Sequence, residues 1–179
     1  MKALRGLLPR ILLAGVLLLP GIAAPAERWH LFESEFDEEK KPWSEIEAQL
    51  PAYPRPENLI PFDAGAASFS RFYVDAPSIS VGADGVVRYT LLIRGGGGAT
   101  NVSFEGIRCQ THEQKLYAVG RGDGKWVRAR DPAWRGIVYK DINRYHWALF
   151  DEYFCVNQRQ TAPLKAILES LKRDSFRLR

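Results

Sequence analysis

The stretch Val81-Gly-Ala-Asp-Gly-Val-Val-Arg-Tyr-Thr-Leu-Leu-Ile-Arg94 decides the fold class. Within it Val87, Tyr89, Leu91 and Ile93 alternate with Arg88, Thr90, Leu92 and Arg94. An alternation of this kind gives a strand with one wholly apolar face and one mixed face. Ser78 to Val81 precedes it, and the intervening Gly82-Ala83-Asp84-Gly85 supplies the Asp-Gly step whose positive φ values suit a tight hairpin. The two runs are therefore expected to pair antiparallel.

Working outward toward the C-terminus, Gly95 to Gly98 form a turn. Val102 and Phe104 then share one parity while Ile107 and Cys109 share the other. A bulge at the intervening Gly106 would bring all four to one core face. Lys115 to Arg121 and Trp126 to Arg130 flank Gly122-Asp123-Gly124-Lys125, a second hairpin junction. The expectation is a meander of four or five antiparallel strands.

Beyond it the apolar spacing becomes helical. Ile142, Tyr145, Leu149, Tyr153 and Val156 form one stripe, with the helix ending near Cys155; Leu164, Ile167, Leu168 and Leu171 form another behind a Thr161 cap. Helices packed on one face of an antiparallel sheet make an α+β domain, expected over residues 63–179.

Toward the N-terminus, Pro51, Pro54, Pro56 and Pro61 favour a stiff extended connection. Before them Pro42 opens a stretch in which Trp43, Ile46 and Leu50 fall on one helical face, so a short helix is expected there. Glu33, Glu35, Asp37, Glu38 and Glu39 crowd an acidic arm too charged to bury much surface. Arm, helix and Pro-rich connection together span residues 27–62.

Residues 1–26 read as a cleaved signal peptide. Lys2, Arg5 and Arg10 make a basic start, Ile11 to Ala23 is apolar, and Ala24-Pro25-Ala26 offers small residues for cleavage before Glu27. The apolar run is shorter than the roughly twenty residues that span a bilayer. Export to the periplasm with no retained span is therefore expected.

Removing that segment takes three of the 25 Lys and Arg residues and none of the 21 Asp and Glu, leaving 22 against 21. A nearly neutral mature chain gives no support to a nucleic-acid partner. The charge is uneven, however, with an acidic stretch to Asp63 ahead of a basic body. In an oxidising compartment the two cysteines, Cys109 and Cys155, are expected to join. A zinc site needs four ligands, where the chain offers these cysteines and the scattered His30, His112 and His146. Neither a metal nor a cofactor is expected.

The segment Val81 to Leu91, continued by Gly98-Ala-Thr-Asn-Val-Ser-Phe-Glu-Gly-Ile-Arg-Cys109, resembles the conserved-neisserial-protein-like (CNP1-like) family of exported proteobacterial proteins. Pro56-Glu-Asn-Leu-Ile-Pro-Phe62, Phe72, Val74, Asp75, Trp134-Arg135 and Tyr153-Phe154-Cys155 support the resemblance. It implies a Gram-negative envelope setting and carries no assigned activity, cofactor or catalytic residue.

Gly95 to Ala99 lacks the Gly-Lys-Ser/Thr ending of a phosphate loop and sits between strands, so a hairpin loop is expected. No nucleophile motif is present. Acid-base chemistry would rest on Glu105 with His112 or His146, the alternative being a strand carboxylate paired with an arginine. The one binding constellation is basic and aromatic: Arg121, Lys125, Trp126, Arg128, Arg130, Trp134 and Arg135. Cations mixed with indoles suit an anionic partner through charge and stacking. The expected function is noncatalytic binding of an envelope protein or anionic envelope component, with a small periplasmic hydrolase using Glu105 as the alternative.

Overall fold

The computed structural model describes residues 42–65, 69–139 and 144–178. The expected signal peptide, the expected cleavage before Glu27 and the expected acidic arm lie outside the described residues. Trp43 to Arg179 make one compact unit.

The sheet runs β1 (Leu59–Phe62), β2 (Arg71–Val81), β3 (Val86–Arg94), β4 (Thr100–Arg108), β5 (Glu113–Gly120) and β6 (Trp126–Arg128) in chain order, all antiparallel, with β7 (Arg135–Gly136) also on β5. The fold is α+β, with a sheet wider than expected by β1 and the two-residue β7. The hairpins close as the turn residues dictate. Gly85 and Gly124 take φ of 76° and 78°, and Gly82 N–H donates to Val86 O at 3.0 Å.

β3 is the central strand and is buried on both faces. On one face Val87, Tyr89, Leu91, Ile107 and Cys109 meet Leu149, Phe150, Tyr153 and Phe154, together with Ile167 and Leu171 of the last helix, in the main core. On the other, Phe104, Tyr117 and Ala118 meet Ala48 in a smaller core, with Leu50 and Trp126 packed against it. This second cover explains the parity change in β4. The β3–β4 register runs unbroken through Gly106, so Phe104 and Ile107 stay on opposite faces and each finds a core.

No bulge forms at Gly106. The irregularity lies across β4–β5, where Phe104 faces Ala118 and Glu105 faces Leu116, leaving Tyr117 of β5 with no opposite residue. Gly106 instead makes room for that tyrosine, since a Cβ at position 106 would lie 2.7 Å from the Tyr117 hydroxyl. β2 carries its own irregularity between Asp75 and Ser80. There Ser78 Oγ accepts Thr90 N–H at 2.8 Å and donates to Asp75 O at 2.7 Å, replacing a missing ladder bond.

After β7, α1 (Arg144–Ala148) passes into a π-helical segment, Leu149–Phe154, that ends at β8 (Cys155–Val156), paired with β9 (Gln160–Thr161). The wider turn puts Leu149, Phe150, Tyr153 and Phe154 all inside. Val156 leaves the expected stripe, lying exposed in β8. α2 (Leu164–Ser175) packs on β1 and β2 through Ile167 and Leu171, with Lys172 and Arg173 in its last turn. Thr161 does not cap it: Pro163 holds the N-cap and the Thr161 hydroxyl donates to Gly85 O at 2.6 Å. The Cys109–Cys155 disulfide, with Cα atoms 5.6 Å apart, ties the end of β4 to β8. No helix of the described residues is long and apolar enough to cross a membrane.

Candidate functional site

The expected helix over Trp43–Leu50 is absent; residues 43–53 form a strap without helix or strand across the second sheet face. Individual side-chain bonds hold it there, and they outweigh local helical spacing. Asp84 and Arg88 pair bidentately at 2.6 and 3.2 Å. Together they clamp the backbone of Ile46: Asp84 Oδ2 accepts its N–H at 2.9 Å and Arg88 Nη2 donates to its carbonyl at 2.7 Å. One residue along, the Glu45 carboxylate enters a dedicated pocket. Lys115 Nζ donates to it at 2.7 Å, the Tyr117 hydroxyl at 2.8 Å and Trp134 Nε1 at 3.2 Å. Lys115 and Tyr117 stand two apart in β5 and so share one face, and the β5 irregularity adds Ala118 to that face beside Tyr117.

Trp43 closes the N-terminal end of the strap. Its indole lies 3.7 Å from the Arg108 guanidinium carbon, meets Trp134 edge-on, and donates to Asp84 O at 2.8 Å. At the other end Trp126 Nε1 donates to Pro51 O at 2.9 Å and the Tyr53 hydroxyl to Arg121 O at 2.8 Å. Burial raises the Glu45 carboxyl, but the Lys115, Tyr117 and Trp134 bonds outweigh it and hold the group below the usual carboxylate range. Asp84 is lowered in the same way, with Arg88 and the Ile46 N–H overcoming the cost of burial.

On the helix-covered face Glu105 meets His146, not His112. Glu105 is 4% exposed and His146 7%. His146 Nε2 lies 2.8 Å from Glu105 Oε2, Tyr89 donates to the same oxygen at 3.0 Å, and Ser103 Oγ donates to Oε1 at 2.6 Å. Neither arginine pairs with this carboxylate: Arg88 turns to Asp84 and Arg108 to Trp43. Burial raises the Glu105 carboxyl, yet the His146 charge and the three hydrogen bonds bring it below the ordinary range. His112 instead takes a left-handed backbone, φ 56°, and packs on Phe150. Clefts of about 190 and 550 Å³ both reach Glu105; Gln114, Arg135, Tyr145 and His146 help line the smaller. The Ser103 hydroxyl points its proton at Glu105, so it forms no serine–histidine relay with His146.

The basic and aromatic residues differ in burial. Trp126 and Trp134 are half-buried and spend their N–H groups on the strap, while Arg121, Lys125, Arg128 and Arg130 are exposed along the β5–β6 edge. Arg135 lies 3.5 Å from Asp131 at the mouth of the smaller cleft. Sequence reasoning misses Glu45, Asp84, Arg88, Lys115 and Tyr117. The signal that could find them is a segment carrying Trp43, Glu45 and Glu47 ahead of a strand whose mixed face carries Arg88. Among the described residues no group of His, Cys, Asp and Glu could hold a metal ion.

A search of curated proteins and one of solved structures found no match. Scanned against models of protein families, the chain matches the CNP1-like family over residues 38–172, a range that takes in the strap, every strand and the start of α2. The protein belongs to the CNP1-like family.

Proposed function

We propose that the protein is exported to the periplasm and acts there as a noncatalytic binding protein of the cell envelope, taking an anionic component at the β5–β6 edge. The basic, apolar and small-residue layout of residues 1–26 supports export, as does the Cys109–Cys155 disulfide, a bond that persists in oxidising compartments. The observation that carries the binding reading is the group Arg121, Lys125, Arg128 and Arg130: all are exposed, and none has an ion-pair partner among the described residues. Charged edges also deter strand-to-strand aggregation, so the test must separate the two roles. The mature chain should co-sediment with vesicles containing anionic lipid at low salt and release at moderate salt. Arg128→Ser with Arg130→Ser should abolish retention while leaving the melting temperature unchanged. Equal retention of the double variant would remove this reading.

A second reading, a small hydrolase, has the 2.8 Å Glu105–His146 contact beside two clefts in its favour. Glu105 is a poor base, because all its contacts stabilise the ionised form and lower its pKa. Hydrolysis of a chromogenic ester or glycoside that disappears in Glu105→Gln would reverse the preference.

A further inference from the structure

We infer that the sheet face beneath residues 43–53 is a peptide-recognition groove occupied in cis, and that its partner ligand is an extended protein segment with an aromatic side chain two residues before a carboxylate. This inference is independent of the exposed cations at the β5–β6 edge. Three features distinguish the groove from ordinary core packing. The Asp84–Arg88 pair grips both the N–H and the carbonyl of one residue, Ile46, which is itself 47% exposed. Such a clamp holds any extended chain regardless of sequence, as main-chain bonds do in strand-type peptide recognition. Next to it, Lys115, Tyr117 and Trp134 read one carboxylate with three donors. The Arg108 face and Trp134 edge then read one aromatic ring. A main-chain clamp flanked by two side-chain pockets is how a receptor combines affinity with specificity.

The strap, for its part, has the character of a ligand. It forms no strand or helix, Trp43 remains 38% exposed, and a cavity of about 280 Å³ remains beside Glu45 to Ala48, bordered by Lys115, Tyr117, Arg128 and Pro132. That unfilled space would accept a larger side chain than the strap supplies. Covalent tethering through the short Pro-rich connection makes the strap's binding intramolecular and gives it a high effective concentration, so a foreign segment must outcompete it. The groove is thus closed until a partner with a better-fitting segment arrives.

The test uses a fluorescent peptide of residues 42–53 and the full mature chain with its disulfide intact. In the chain carrying Trp43→Ala and Glu45→Ala, the peptide should bind at least about tenfold more tightly than to the unaltered chain, because cis competition is weakened. Adding Lys115→Ala to that variant, or Glu45→Ala to the peptide, should each cost about tenfold or more. If the folded strap variant gives no change in anisotropy, or if Lys115→Ala leaves binding unchanged, the groove is only part of the fold. Should the strap variant fail to fold, excess peptide on the unaltered chain must accelerate exchange of the chain's own Ile46 amide, and an unaffected rate overturns the inference. A dimer of the unaltered chain that Lys115→Ala dissolves would assign the groove to strap exchange between copies and overturn the partner-segment reading.

Discussion

The two faces of the sheet are both covered, by opposite means. One carries Val87, Tyr89, Leu91 and Ile107 under helices that present Leu149, Phe150, Phe154 and Ile167, a largely apolar interface that holds the Glu105–His146 pair. The other carries Arg88, Thr90 and Lys115 under a strap, with a small apolar centre at Ala48, Phe104, Tyr117 and Ala118. Apolar burial is non-directional and scales with area, so the helix face should dominate stability. Bonds to the strap are directional and exchange with water, so each adds only about 0.5 to 1.5 kcal/mol net, somewhat more where a charge is involved. The fold rests on the first face and keeps its specific chemistry on the second.

The sharpest way to break this comparison is to cut into the helix face. Phe154→Ala removes a ring buried against Tyr89, and should cost about 3 to 5 kcal/mol in a denaturant titration. Glu105→Ala should cost about as much, because it leaves His146, Tyr89 and Ser103 without their shared acceptor inside the core. Glu105→Gln, which keeps the shape, should cost less. Since folding lowers the Glu105 pKa, its contribution is fully present above the unfolded value of about 4.3 and is lost as pH falls through the lower folded value. The wild-type melting temperature should therefore fall on acidification below about pH 4 more steeply than that of Glu105→Gln.

Cys155→Ser should lower stability by about 2 to 5 kcal/mol, measured by the same titration, and non-reducing mass spectrometry of the wild type should show Cys109 joined to Cys155. The smallest effect belongs to the strap. Glu45→Ala leaves Lys115 able to reach water and should cost about 1 to 2 kcal/mol, while quenching of Trp134 fluorescence by acrylamide increases as its N–H loses its partner.

The sequence discloses these faces unequally. β3 is legible because one parity is wholly apolar, and the hairpins are legible because Gly85 and Gly124 stand where positive φ is needed. The parity change between Phe104 and Ile107 is visible too, but it reads as a bulge unless a covered second face is anticipated. Trp43, Ile46 and Leu50 do have helical spacing, yet that spacing is local and the bonds that override it come from Asp84, Arg88 and Lys115, 38 to 70 positions away. Glu105 and His146 stand out as candidates, but 41 residues separate them and only the packing of α1 on β4 brings them together. Short polar contacts across long sequence separations leave no periodicity to read.

Native-state amide hydrogen exchange tests the central claim most directly, because it reports the opening free energy of each face separately. The amides of Leu91 and Ile107, inside the paired strands β3 and β4, should exchange only through global unfolding, and the Ile46 amide, bonded to the Asp84 carboxylate, should exchange through local release of the strap at rates larger by orders of magnitude. Equal protection of Ile46 and Leu91 would contradict the account, since the strap would then be as integral to the fold as the helices.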